Sequence, residues 1–236
     1  MEPIHLGESS LLVVDIQQGF TTLCPRELPV PGGLEIVPRV NELLELPWRC
    51  IDASQEWHPP EHCSFLGRRD HLYPPHCVMD TPGADFVPGL RTERFQTIWR
   101  KGFHQDFDAY AVTAQHPRFT AALCAVGITT VVVCGIATNI CCFHAARDLR
   151  RAGLRVLLVE DASAGIDVPE AGLFQDRAKA EGQHLGIEYV TSATVLAAVT
   201  PGEGPHPRET EGERLRREVE RLRSELEALR QALPDI

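Results

Sequence analysis

Thr129-Thr130-Val131-Val132-Val133-Cys134-Gly135-Ile136-Ala137-Thr138-Asn139-Ile140-Cys141-Cys142 decides the fold. Its first half is a continuous β-branched run, the pattern of a strand buried on both faces. Glycine then permits a sharp turn, and a cysteine follows where residues 139–152 take on helical character. A strand that turns directly into a helix is the βα step of a parallel sheet. The same step recurs outward from here. Ser10-Leu11-Leu12-Val13-Val14-Asp15 is a second apolar run, ending on a carboxylate, and 33–46 carries Ile36, Val40, Leu43 and Leu44 at helical spacing. Residues 49–54 read as the next strand and 94–101 as another, with helical character over 119–126. A strand at 154–159, a helix over 169–185 and a strand at 187–191 complete the pattern. The expectation is an α/β fold, a parallel-rich sheet covered by helices on both faces.

The chain has 236 residues, enough for one domain with a sizeable core plus an appendage. Its net charge of −10 opposes nucleic acid as a main partner, since phosphate binding needs a basic face. No apolar run approaches the roughly 18–20 residues that span a bilayer, so no membrane partner is expected. Met1-Glu2-Pro3-Ile4-His5 carries neither the basic nor the apolar region of an export signal. Several of the eight cysteines, such as Cys50 and Cys134, sit in apolar strand-like runs. Buried free thiols or thiol chemistry in a reducing cytoplasm are therefore expected, rather than a disulfide framework.

Parallel α/β sheets bind ligands beyond the carboxyl ends of their strands. Asp15, Glu56, Lys101 and Cys141 all fall at or just after such ends. A cysteine at a helix start suits a nucleophile, because free helix N–H groups favour a thiolate and can receive an oxyanion. The plainer alternative for Cys141 is a packed apolar thiol. A loop, Ser54-Gln55-Glu56-Trp57-His58-Pro59-Pro60-Glu61-His62-Cys63-Ser64-Phe65, is followed by Pro74-Pro75-His76-Cys77-Val78 and gathers a carboxylate with several imidazoles. That set suits a divalent metal, and it is equally compatible with a solvated polar loop.

Taken together, these stretches resemble the nicotinamidase/pyrazinamidase branch of the isochorismatase-like cysteine hydrolase superfamily. Val13-Val14-Asp15-Ile16-Gln17 and Glu27-Leu28-Pro29-Val30-Pro31-Gly32-Gly33 come first, followed by Trp57 through Phe65. Pro75-His76-Cys77-Val78 with Thr81-Pro82-Gly83-Ala84-Asp85-Phe86, then Lys101-Gly102, then Gly135 through Cys142, continue in family order. The resemblance implies a three-layer αβα fold and an Asp–Lys–Cys triad at Asp15, Lys101 and Cys141. It further implies a cis peptide before Ala137, with the backbone N–H groups of Ala137 and Cys141 receiving the substrate oxygen. Cys142 stands where the family carries an apolar residue and is read as packing. The implied metal ligands are Glu56, His58 and His76, with His62 either completing the set or holding the loop, and zinc is the expected ion. Two departures stand out. Glu56 replaces the family's usual aspartate, which moves the oxygens by about 1.5 Å, one C–C bond, and puts the metal site in question. Tyr73 sits where some members place a tryptophan, with Phe20 as the opposite aromatic wall.

The implied activity is hydrolysis of nicotinamide through a cysteine thioester. One alternative is another amide or ureido hydrolase of the same superfamily. Another, of a different class, is a non-catalytic scaffold. Isochorismatase proper is disfavoured because its vinyl-ether hydrolysis uses no cysteine nucleophile. Pro201-Gly202-Glu203-Gly204-Pro205-His206-Pro207 reads as a linker that closes a hydrolase domain at 1–200. Beyond it, over 208–236, Leu215, Val219, Leu222, Leu226, Leu229 and Leu233 recur at alternating steps of four and three. In a parallel pair Glu211, Glu218 and Glu225 face Arg216, Arg223 and Arg230 of the other chain, so a parallel coiled coil joining copies of this chain is expected.

Overall fold

The computed structural model describes residues 1–67 and 73–200. The linker expected at 201–207 and the coiled coil expected at 208–236 lie outside them. The chain opens with a two-residue strand, β1 (Ile4–His5), and then enters β2 (Ser9–Val14), which is buried along its whole length as its unbroken apolar run requires. Helix α1 (Val37–Leu44) leads to β3 (Cys50–Glu56), and β4 (Thr97–Lys101) follows the long loop. Helices α2 (Val112–Gln115) and α3 (Phe119–Ala125) precede β5 (Thr130–Ile136). Helix α4 (Phe143–Arg151), β6 (Arg155–Ala164), α5 (Gln175–His184), β7 (Glu188–Val190), α6 (Ser192–Ala198) and β8 (Val199–Thr200) complete the described residues.

Six of the strands form one sheet in the order β4-β3-β2-β5-β6-β7, and every pair in it is parallel. β1 and β8 pair separately, also in parallel. Right-handed crossovers then dictate the layers. The step from β2 through α1 to β3 runs one way across the sheet, and the step from β5 through α4 to β6 runs the other, so the two helices lie on opposite faces. Contacts agree: α1 meets α6, whereas α4 meets α2 and α5. The chain reverses its direction of travel between β2 and β5, and such a reversal opens a crevice beyond the strand ends where α/β proteins bind ligands. None of the described helices is long and apolar enough to cross a membrane.

Several boundaries differ from expectation for local reasons. A 3₁₀ turn at Thr92–Arg94 delays β4, so its strand starts at Thr97 rather than 94. The helical character expected from 139 begins instead as a π-helical turn, Thr138–Cys142, before α4. The single helix expected over 169–185 is broken, because Gly172 adopts φ +68 after the turn Pro169–Ala171. Gly135, read above as a turn residue, serves a closer purpose. It sits at φ +127, and a Cβ there would run into the backbone carbonyl of Val14 on the neighbouring strand. Gly135→Ala is therefore expected to cost about 1–3 kcal/mol through backbone strain alone, read as a lower urea midpoint with an unchanged m-value.

Candidate active site

The position of Cys141 follows from β5. This strand runs beside β2, pairing Val14 with Gly135, and the π-helical turn then carries Cys141 over the crevice. Asp15 directly follows β2, and its φ of 47 is a left-handed conformation that aspartate tolerates better than most residues. Its N–H donates to the Ser54 carbonyl at 3.2 Å, and its Oδ1 accepts from the Ser54 hydroxyl at 2.8 Å. Across β3 and β4 the register sets Glu56 opposite Lys101. Glu56 is further held by Gln17: the side-chain amide donates to the Glu56 carbonyl at 2.8 Å and accepts the Glu56 N–H at 2.7 Å.

Asp15, Lys101 and Cys141, separated by most of the chain, meet in one buried cluster. The Lys101 ammonium lies 2.9 Å from Asp15 Oδ2 and 3.6 Å from Cys141 Sγ, and donates to Glu56 Oε1 and to the Ala109 carbonyl. Burial favours a neutral amine, yet Asp15, Cys141 and Glu56 outweigh it and hold Lys101 well above its usual value. Burial pushes the Cys141 thiol well above its ordinary range, with Lys101 opposing and Asp15 and Glu56 adding to the rise. Burial also raises Asp15, against the pull of Lys101. A protonated thiol thus faces a carboxylate made more basic than usual. Asp15 Oδ2 accepts no aligned hydrogen bond, and a carboxylate oxygen of Asp15 lies within 4.8 Å of Sγ, so the carboxylate has a lone pair to offer the thiol proton.

Beside the triad, the donor atoms of Glu56, His58 and His76 all lie within 4.8 Å of one another. His58 Nδ1 is 2.9 Å from the Gly102 carbonyl and His76 Nδ1 is 2.8 Å from the Pro74 carbonyl. Carbonyl oxygens only accept, so each Nδ1 carries a proton, and each Nε2 is turned toward Glu56, where it would offer a lone pair to an ion replacing its contact with the carboxylate. Gly102 is required here, since a Cβ at its φ of +71 would strike the His58 ring. Glu56 Oε2 completes the trio, contacting His58 Nε2 and lying 3.4 Å from His76 Nε2. Two carboxylates around one ammonium leave an excess negative charge that a divalent cation would offset. The residues fit such an ion, and the longer side chain of glutamate spans both the lysine and the imidazoles.

His62 stands next to this trio and outside it. Its Nδ1 is 2.8 Å from the Ser64 hydroxyl and its Nε2 is 3.3 Å from the Phe107 carbonyl, while the ring packs on His58 with centroids 4.1 Å apart. Burial lowers it to about 4, which favours the neutral imidazole.

The pocket above Cys141 encloses about 460 Å³ of open space including its mouth. Phe20 and Tyr73 both line it, and each ring touches that of His76, at centroid distances of 5.4 and 5.8 Å. Ala137 and Cys141 border it, and the Ile136–Ala137 peptide is cis. Cys142 is fully buried in the core. Sequence reasoning missed several contributors. Asp108 and Tyr110 line the pocket, with the Tyr110 hydroxyl 3.2 Å from that of Tyr73. Asp108 stands two residues before Tyr110 on the loop after Lys101, a spacing that gave no periodic signal.

Comparison with known proteins agrees with this geometry. A profile of the isochorismatase domain matches residues 9–194. A nicotinamidase of Acinetobacter baylyi is 34% identical over 210 residues, which cover 79% of this chain and 94% of that protein. Among solved structures, PnC1 of L. infantum in complex with nicotinate superposes with a TM-score of 0.74 at 30% identity, covering 85% of this chain and 98% of that one. A pyrazinamidase of Pyrococcus horikoshii in complex with zinc superposes with a TM-score of 0.68 at 37% identity, covering 78% and 99%.

Proposed function

The chain belongs to the isochorismatase family, and from that premise we propose that it hydrolyses nicotinamide to nicotinate and ammonia through a thioester on Cys141. The observation that carries this reading is the convergence of Asp15, Lys101 and Cys141 on a pocket that also holds the Glu56–His58–His76 donor set. Asp15 takes the thiol proton as sulfur attacks the amide carbon, because neither a free thiolate nor a protonated aspartate is needed beforehand. Lys101 stabilises the negative charge that appears on both partners. The N–H groups of Ala137 and Cys141 receive the oxyanion. Asp15 returns its proton to the departing ammonia and then activates the water that cleaves the thioester. Phe20 and Tyr73 bind the flat ring, for which aromatic stacking contributes about 0.5–1.5 kcal/mol beyond burial.

A divalent ion on Glu56, His58 and His76, with zinc expected, would supply an acceptor for the lone pair of the pyridine nitrogen. That favours nicotinamide over the ureido and non-aromatic amides that other cysteine hydrolases could take, and the intact triad opposes a non-catalytic scaffold. Relative kcat/KM for nicotinamide, for benzamide, which lacks the ring nitrogen, and for an N-carbamoyl amine tests the choice. Nicotinamide should lead. A preference for the carbamoyl compound would replace this reading with the ureido one. Chelation is expected to raise KM more than it lowers kcat, since the ion holds the ring alike in ground state and transition state. An active preparation with no divalent ion by elemental analysis would contradict the metal's part.

The cytoplasm as compartment, the domain boundary near residue 200 and self-association belong to the same proposal. All eight cysteines lie among the described residues, and no disulfide joins any of them there, which supports a reducing compartment. Heptads and complementary charges over 208–236 support a parallel coiled coil, although about three heptads are marginal alone. Light scattering on the full chain and on one ending near Pro201 should give a larger mass for the former. Equal masses at equal concentration would rule the tail out as the driver of assembly.

A further inference from the structure

Glu27 stands outside both the triad and the metal set, on the loop between β2 and α1, yet its carboxylate is threaded among three loops that build the pocket. Its Oε2 accepts the backbone N–H of Cys77 at 2.9 Å. A Cβ placed on Gly83 would meet the Glu27 carboxyl group before anything else, and one placed on Gly19 would meet its Oε2 first. The side chain thus fills the space that these two glycines leave open. Cys77 is a non-glycine residue at φ 45, a left-handed conformation that surrounding contacts must hold in place. Its own carbonyl accepts the backbone N–H of His58 at 3.1 Å, and its neighbour in the chain is His76. Through the two peptides that flank Cys77, therefore, Glu27 is tied to the backbone of both histidines of the donor set. On its other side Gly19 precedes Phe20, and the Gly19 carbonyl accepts the Leu28 N–H at 3.0 Å, which fastens the Glu27 loop to the aromatic wall. The Phe20 and His76 rings meet with centroids 5.4 Å apart where both line the pocket.

We propose that Glu27 is a positioning residue that sets the separation between the ring-binding wall at Phe20 and the metal-binding imidazoles at His58 and His76. It touches neither substrate nor ion, and it rests on the reading of this pocket as a metal-assisted nicotinamidase site. The consequence is a selective one: Glu27 governs zinc affinity and KM, while the distance between Cys141, Asp15 and Lys101, and with it kcat, is set elsewhere.

The test uses the purified full chain as parent, Glu27→Ala, Glu27→Gln and Gly83→Ala. Zinc affinity is read by competition with a chromophoric chelator without substrate, and KM and kcat are read with nicotinamide. Partners that orient ligands from outside the coordination shell are worth about 10–100-fold in metal affinity or activity. Glu27→Ala should weaken zinc binding by about tenfold or more and raise KM, with kcat within about threefold of the parent. Glu27→Gln keeps an oxygen for the Cys77 N–H and should recover most of the loss. Gly83→Ala retains Glu27 but displaces its carboxylate, so it must shift zinc affinity and KM the same way even if Glu27→Ala fails to fold. The two changes should also be non-additive, because both act on the same carboxylate. Parental zinc affinity and KM in Gly83→Ala, or a fall in kcat alone in Glu27→Ala, would overturn the inference. So would equal damage from Gln and Ala. A parent that neither binds zinc nor cleaves nicotinamide would instead overturn the functional reading itself, and is recognised from the parent alone.

Discussion

Cys141→Ala is expected to lower kcat for nicotinamide hydrolysis by about 10⁴-fold or more, because no second group can form the thioester. The fold should survive, since the substitution removes one sulfur from a side chain that borders the pocket. Cys142→Ala supplies the control. Cys142 is buried in the core and does not line the pocket that Cys141 borders, so its sulfur is out of the substrate's reach. Cys142→Ala should therefore retain most activity. The reverse pattern, with Cys142→Ala dead and Cys141→Ala active, would move the nucleophile by one position. Activity in both would end the covalent mechanism.

Lys101→Met is expected to damage stability and catalysis together. The ammonium is wholly buried between Asp15 and Glu56, and removing it leaves two carboxylates without their cation. Breaking a buried pair from one side typically costs about 3–5 kcal/mol. The pH dependence has a definite sign. Lys101 is held above its ordinary value, so its contribution is complete at neutral pH and is lost only as pH rises through the folded value, above about 10.5. For Glu56, burial would raise the value, but His58 and Lys101 outweigh it and hold the carboxyl well below its usual range. Its contribution is therefore present above that range and is lost as pH falls through the folded value. In Lys101→Met both carboxylates lose the cation that favours their charge, so protonation relieves the variant. Urea unfolding should show a large deficit at pH 7 that shrinks toward acid. A deficit below about 1 kcal/mol at pH 7 would mean that the pair is not buried and coupled in this way.

The βα steps were legible because their signals are local. A β-branched run, a glycine and a helical pattern occupy adjacent residues around Cys141, and the run ending at Asp15 reads the same way. Short or distant pairings were not. β1 and β8 have two residues each and bring residues 4–5 to 199–200, so neither has a period to detect. Helices α2 and α6 span only one or two turns. In the site, Asp15, Lys101 and Cys141 could be placed one at a time at strand ends, but only the strand order and register bring them together. Glu56 was read as a weakened ligand from its length, whereas that length lets it contact Lys101 as well as the imidazoles. For His62 the sequence shows only the imidazole. Ser64 and the Phe107 carbonyl, which occupy its nitrogens, come from loop geometry. Glu27 was hidden for the same reason, since its role depends on space left at Gly19 and Gly83.

The central claim is that this chain cleaves the amide of nicotinamide at Cys141. Product analysis by proton NMR, with ammonia measured in parallel, tests it on purified full-length chain incubated with nicotinamide and compared with Cys141→Ala. Nicotinate and ammonia should appear in equal amounts with the parent and not with the variant. Unchanged nicotinamide in the presence of the parent with zinc, or equal conversion by Cys141→Ala, would contradict the account.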